Sequence, residues 1–219
     1  MIPEVGPDFV YRMEEVLDVY EQPYDANHPV VCLDESPKQL IGELRESFTD
    51  EHGVEHVDYE YTREGTADLY MVVEPLAGRR EVLVKDQHTR LDWAQVVAHV
   101  VEQMYPTAKK ITLVQDNLSA HKTSAFYELF EPERARAIVK KLDCVFTPKH
   151  GSWLNIAEIE LSVLTRQGLK PRVANKKELE QQVRAWYETR NGKRSQVDWQ
   201  FTTKKARTKL KRLYPSIKS

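Results

Sequence analysis

The sequence predicts an α/β fold in which a mixed β-sheet is covered by helices. Three observations carry this expectation. Residues 67–75 and 81–84 are β-rich runs joined by the Ala77-Gly78 turn, so they pair as a hairpin. Residues 30–34 and 111–116 are short apolar runs that each end in an acid, the look of buried strands. Stretches of helical periodicity lie between and after these runs. A hairpin followed by alternating strands and helices gives a mixed sheet with helices on its faces.

The elements follow in order. Phe9, Met13, Val16 and Leu17 fall on one face of a helix over residues 8–20, which Gln22-Pro23-Tyr24-Asp25 ends. Residues 35–65 are polar, with one alternating piece, Val57-Asp58-Tyr59-Glu60-Tyr61. After the hairpin, Thr89 caps a helix with Asp92 in its first turn. Trp93, Val97, Val100, Val101 and Met104 line one face before Pro106 stops it. Residues 122–142 read as helical, interrupted by Pro132, and Val145-Phe146 is a short last strand. Three helices follow: residues 155–167, residues 175–190 with a capping box in Asn175 and Glu178, and residues 203–213. The division expected is a helical lead-in over 1–28, a central α/β domain over 29–170, and a basic helical extension over 171–219.

With 219 residues, the chain suffices for one domain plus an appendage, and its hydrophobic fraction of 41% is ordinary for a globular protein. No apolar run approaches the roughly 20 residues of a membrane helix. The first residues have neither a basic nor an apolar leader pattern, so a cytoplasmic protein is expected. Cys32 and Cys144 sit in apolar runs without a Cys-x-x-Cys partner and read as buried thiols. The net charge is −2, but it is unevenly spread. Residues 162–219 hold 16 Lys and Arg against 4 Asp and Glu; residues 1–161 hold 16 against 30. Such an asymmetry fits either a nucleic-acid-facing half or solvated basic helix faces.

If the two acid-ended strands are parallel neighbours, Asp34 and Asp116 lie roughly 5 Å apart. Paired carboxylates can hold Mg²⁺, and a third acid from a helix completes a two-metal site for phosphodiester chemistry. Glu158 is the candidate, sharing a face with Asn155, Ile159 and Ser162. Glu160 points about 200° away, so only one of the two can face the site. The alternative roles are ordinary ones: turn acids at strand ends for Asp34 and Asp116, and a capping box with Asn155 for Glu158.

Val114-Gln115-Asp116-Asn117-Leu118-Ser119-Ala120-His121 has an Asp-Asn-x-x-x-His pattern. Thr147-Pro148-Lys149-His150-Gly151-Ser152-Trp153-Leu154-Asn155-Ile156-Ala157-Glu158 is similar to a Ser-Pro-x-Leu-Asn-Pro-x-Glu block. Together with Val31-Cys32-Leu33-Asp34-Glu35, Val57 to Tyr61, Arg190-Asn191 and Asp198-Trp199-Gln200-Phe201-Thr202, these segments resemble mariner-like bacterial insertion-sequence transposases. The resemblance runs from about residue 8 to residue 215. It implies an RNase H-like fold with extra C-terminal helices, and Asp34, Asp116 and Glu158 as the catalytic, metal-binding triad. It also implies Mg²⁺ or Mn²⁺ as cofactor, and double-stranded DNA as substrate, at element ends and at a TA-containing target. A homodimer is expected in the DNA complex. Two features depart from the family. Its members carry a helix-turn-helix region for end recognition, whereas this chain begins almost at the catalytic region, so that function is expected on a separately encoded chain. The 41 residues between Asp116 and Glu158 are also more than is common, which implies an insert around Glu131-Pro132-Glu133-Arg134. A rival reading is a non-catalytic, truncated transposase that binds DNA or dimerises and so inhibits.

Further residues fall to DNA binding or to the rim of the site. His121 orients DNA or a metal-bound water, or else caps local backbone; Asn117 bonds phosphate or steadies its turn. Lys149, His150 and Arg166 flank the third acid and contact phosphates, which positions DNA without reading sequence. Asn155 leads into Glu158, and Lys204 and Lys205 represent the basic extension. Trp153 is a core aromatic or a base-stacking wedge, with the core favoured. His52 and His56 have the spacing of a zinc pair but lack a third ligand.

Overall fold

The computed structural model of the chain describes residues 6–43, 48–49, 52, 55–56, 60–118, 121–170 and 172–215. Helix α1 spans Pro7–Tyr20, with proline in its first turn where no backbone donor is needed. Strand β1 is Val30–Glu43, β2 and β3 are the short pair Phe48–Thr49 and Glu55–His56, β4 is Tyr61–Glu74 and β5 is Arg79–Lys85. Helix α2, Arg90–His99, is capped reciprocally by Thr89 and Asp92, and continues as a π-helical turn over Val100–Met104. Then come β6 (Ile111–Gln115), α3 (Ala125–Leu129), α4 (Pro132–Lys141), β7 (Leu142–Phe146), α5 (Ile156–Gln167), α6 (Lys176–Gly192) and α7 (Thr203–Lys209).

The main sheet has the order β5-β4-β1-β6-β7. β1, β4 and β5 pair antiparallel, while β6 pairs parallel with both β1 and β7. Successive strand residues face opposite sides, and each side carries its own core. Val31 and Leu33 pack with Trp93 and Val97 of α2, Phe126 of α3 and Ile138 of α4. Cys32 packs on the other side with Met13 and Leu17 of α1, Ile156 and Leu161 of α5, Val183 and Trp186 of α6 and Ala206 of α7. The lead-in and the C-terminal helices therefore share one hydrophobic core with the sheet.

Two expectations are corrected. The first strand does not stop at its acid, and residues 35–65 are not simply a polar connection. β1 and β4 continue as a long ribbon paired from Cys32 opposite Val73 to Glu43 opposite Tyr61. The outer part of β4 is largely exposed, and over residues 37–42 of β1 only Leu40 and Gly42 are buried, too few to impose an apolar period that could be read. Pro37 is tolerated there because β1 has no β6 neighbour beyond Cys32, and the missing N–H needs no partner. Of the alternating piece at 57–61, residues 57–59 lie outside the described residues. The helical stretch 122–142 is two helices, because Pro132 starts α4 after an extended Phe130. Gly78 turns the β4–β5 hairpin at φ +66°, where a Cβ would also meet the Arg194 backbone at 2.8 Å.

Candidate active site

The parallel register builds the site. Val30, Val31 and Cys32 of β1 stand opposite Thr112, Leu113 and Val114 of β6. Carrying that register on by two residues sets Asp34 level with Asp116, one residue past the end of β6. Asp34 alternates onto the same face as Cys32, the side that α5 covers. Asn155 fixes the start of α5 against β1. Its side-chain amide donates to the Leu33 carbonyl at 2.9 Å, and its oxygen accepts from the Ala157 N–H at 3.1 Å. The buried Tyr20 hydroxyl donates to the Leu154 carbonyl at 2.8 Å, tying α1 to the same junction. Glu158, in the first turn of α5, is thereby carried to Asp34. The two line an open cleft of about 440 Å³ with Ser36, Ser152 and Arg166.

The electrostatics follow from that convergence. Burial pushes Asp34 up to about 7, against a bond from the Glu35 N–H, and the charges of Glu35, Asp116 and Glu158 add to the rise. Glu158 Oε2 and Glu35 Oε2 are buried and have no hydrogen-bond partner, whereas the buried Asp116 Oδ1 faces the His121 ring at 2.9 Å. Buried carboxylate oxygens without donors are costly unless a cation meets them. The all-oxygen set Asp34, Asp116 and Glu158 fits a hard divalent ion of the Mg²⁺ type.

Glu158 and Glu160 part as helix geometry requires. Glu160 is 2% exposed and bridges Arg80 Nε at 3.0 Å and Arg190 at 2.9 Å, away from the cleft. The capping-box role for Glu158 is excluded, since the Asn155 N–H is given to the Ser152 carbonyl at 2.7 Å. In α6, Asn175 accepts from the Glu178 N–H at 2.9 Å, while Glu178 reaches the Ala174 N–H at 3.4 Å rather than that of Asn175.

His121 is 6% exposed, in the interior rather than on a rim. Its Nδ1 lies 2.9 Å from Asp116 Oδ1 and 3.1 Å from the Asp116 carbonyl oxygen, and its Nε2 lies 3.3 Å from Glu35 Oε1. Burial opposes a charge on this ring, but Asp116 and Glu35 outweigh it and push the imidazole up to about 10. Ligand atoms of Glu35, Asp116 and His121 fall within 4.8 Å of one another. Glu35 had no role in the sequence reading. The available signal was its place next to Asp34 in a strand, which turns it to the opposite face.

The other residues divide. Asn117, Lys149 and His150 line a second groove of about 760 Å³ with Arg12 and Tyr11 of α1. His150 takes φ +64°, folding the turn so that the Gly151 N–H reaches the Pro148 carbonyl at 2.8 Å. Trp153 is 42% exposed and touches Phe201 at 6.2 Å between ring centroids, so its core assignment is corrected. Lys205 lies in a separate depression beside Tyr24 and Trp199, its ammonium donating to the Gln200 carbonyl at 2.6 Å, and Lys204 is exposed on the same helix. Part of the C-terminal positive charge is neutralised by the acidic N-terminal half: Arg190 meets Glu160, Arg207 meets Glu14, and Lys176 meets Asp86. Cys32 is buried, Cys144 only half-buried, and both are free. The side chain of His56 lies outside the described residues. No helix among the described residues is long and apolar enough to cross a membrane.

Residues 29–180 match the family described as DDE superfamily endonuclease. No curated protein matches the chain. Among solved structures, the chain is similar to the Mos1 mariner paired end complex with Mg, at 10% identity and a TM-score of 0.57, covering 97% of this chain and 64% of that one. The Mos1 paired end complex with Mn gives 13% and 0.56, over 88% and 58% of the two chains. The Mos1 strand transfer complex gives 12% and 0.53, over 83% and 54%. This chain thus spans 54 to 64% of the length of those three. At such identities the likeness establishes the architecture, an RNase H-like mixed sheet flanked by helices. With the family match extending over more than half of its residues, the chain belongs to the DDE superfamily endonucleases.

Proposed function

We propose that this chain is the catalytic domain of a DNA transposase, cleaving phosphodiester bonds at element ends and joining the freed 3′-hydroxyl to target DNA. The reading is supported by one observation: at the ends of the parallel strands Asp34 shares a cleft with Glu158 and feels the charges of both Asp116 and Glu158, with the buried Glu158 Oε2 left unpartnered. These three residues hold the divalent metal, Mg²⁺ or Mn²⁺. When bound, the metal supplies an activated water or 3′-hydroxyl and stabilises the leaving oxygen. Raised to about 7, Asp34 is largely protonated only below neutral pH, and it would hold the metal as its carboxylate. Asn155 keeps Glu158 at its post by locking α5 to β1. Lys149, His150 and Arg166 take phosphates on either side of the acids, Asn117 steadies the backbone beside them, and Trp153 offers an exposed ring for stacking on a base. Lys204 and Lys205 extend the phosphate track.

The similarity to Mos1 complexes with transposon ends supports double-stranded DNA as the partner. The finer assignments belong to the same proposal. They are a TA-containing target, a homodimer on DNA, end recognition by a separate helix-turn-helix chain, action on DNA in the cytoplasm, and a catalytic unit over 29–170 flanked by the lead-in and the basic extension. A strand-transfer assay with pre-cleaved DNA ends and Mg²⁺ tests the reading. Wild type is expected to join ends and Asp116→Asn to neither nick nor join, while both bind DNA. Nicking without joining would make the protein a nuclease only; no products at all would make it a DNA-binding relative. Near-normal nicking by Asp116→Asn would overturn the site.

A further inference from the structure

Asp116 stands where the two faces of the sheet meet. Toward α5 its charge acts on Asp34, which also feels that of Glu158; toward α2 its Oδ1 lies 2.9 Å from His121. It belongs to no helix or strand and follows the last residue of β6, so the backbone ladder does not orient its side chain. His121, in contrast, is held from two sides besides its contact with Asp116. Its ring stacks on Trp93 at 5.5 Å and 23°. Trp93 is itself fixed, its indole N–H donating to Gln115 Oε1 at 2.9 Å, one residue before Asp116. The far ring nitrogen of His121 faces Glu35 Oε1 at 3.3 Å. Both ring nitrogens thus look onto carboxylates, which can only accept.

We propose that His121, aligned by Glu35, is a positioning residue that fixes Asp116 and turns its free oxygen toward Asp34 and Glu158. A carboxylate that orients an imidazole, which in turn orients a ligand, acts on metal affinity without touching the metal. Glu35 reaches this role because strand alternation sends it to the α2 face while Asp34 goes to the α5 face. The proposal rests on the reading of Asp116 as a metal ligand.

Mn²⁺ binding to the free protein, measured by calorimetry, tests it without any turnover. His121→Phe keeps a ring against Trp93 but donates nothing; His121→Gln gives up the stacking but keeps an amide donor for Asp116. The expected result is Mn²⁺ affinity about 10–100-fold weaker in His121→Phe, with part of the loss restored in His121→Gln. If the glutamine variant binds no better than the phenylalanine variant, or the phenylalanine variant binds as wild type does, His121 is only packing and the proposal falls. Should either variant fail to fold by circular dichroism, Glu35→Gln carries the test: weaker Mn²⁺ binding is expected, and unchanged affinity overturns the proposal. Asp116→Asn in the same titration separates the two levels. Unchanged binding there removes the ligand reading itself, whereas loss there with no change at His121 and Glu35 removes only the positioning role.

Discussion

Asp34 is an acid whose proton affinity the fold raises strongly, and the consequence can be measured without substrate. Its ordinary value near 3.8 rises to about 7 in the fold because burial and three neighbouring acids disfavour the charge. Between about pH 4 and 7 the folded protein therefore holds a proton that the unfolded chain has released. Stability contributed by that proton is lost as pH rises through this window and is gone above it. Asp34→Asn has no charge to form. In metal-free buffer the melting temperature of wild type is expected to fall, relative to Asp34→Asn, from pH 4 to 7. Mg²⁺ at pH 8 should then raise wild type and leave the variant unmoved. Parallel melting curves for the two across pH would contradict this account. The contribution of His121, whose pKa is raised to about 10, is present below about 6.5 and fades toward 10, so it does not mimic the effect. Asp34, Asp116 and Glu158 were legible in the sequence because motif words surround them. Glu35 and the burial of His121 were not, because their meaning depends on a neighbour across the sheet.

Helix α5 shows how an element sorts two similar residues. Glu158 and Glu160 differ by about 200° around the axis, so one faces the cleft and the other the interior. The sequence separated them but could not say what Glu160 meets: Arg80 from β5 and Arg190 from α6. Glu158→Gln is expected to lose metal-dependent cleavage with little change in melting temperature. Glu160→Gln is expected to destabilise the fold by about 3–5 kcal/mol, since two guanidinium groups lose their buried counter-charge. Cleavage per folded molecule should survive in that variant. Denaturant unfolding and nicking on the same two proteins decide the matter; the opposite pattern would exchange the two roles. The long β1–β4 ribbon was the element least legible in advance, because its outer half buries little beyond Leu40 and Gly42, too little to impress a period on the sequence.

At the scale of the molecule, the acidic N-terminal half and the basic C-terminal half partly neutralise each other. Arg207 holds Glu14 with two bonds, at 2.8 and 2.7 Å, and so docks α7 on α1. Lys204 and Lys205 are exposed and make no ion pair among the described residues. Reversing both charges to Glu should flatten the slope of log DNA affinity against log salt, by about 0.9 for each phosphate that the variant no longer neutralises. Arg207→Ala should leave that slope alone and lower the melting temperature, because its charge is already used inside the chain. Fluorescence anisotropy at several salt concentrations reads both variants. An unchanged slope in the lysine variant would mark those residues as solvated surface.

Apolar period, turn residues and caps act within a few residues of chain. They sufficed for the sheet-and-helix class, the helix at Thr89, the Gly78 hairpin and the order of the elements. The motif words around the acids are likewise local, and their resemblance to a family singled out the three carboxylates as candidates. What needed tertiary structure were relations between distant segments. The β1–β6 register set Asp34 level with Asp116, and the Asn155–Leu33 bond joined residues 122 apart in sequence. The Arg80–Glu160–Arg190 cluster and the Glu35–His121–Asp116 alignment are of the same kind. Such contacts leave no periodicity in the chain, because each is fixed by how two elements pack and not by the pattern within either.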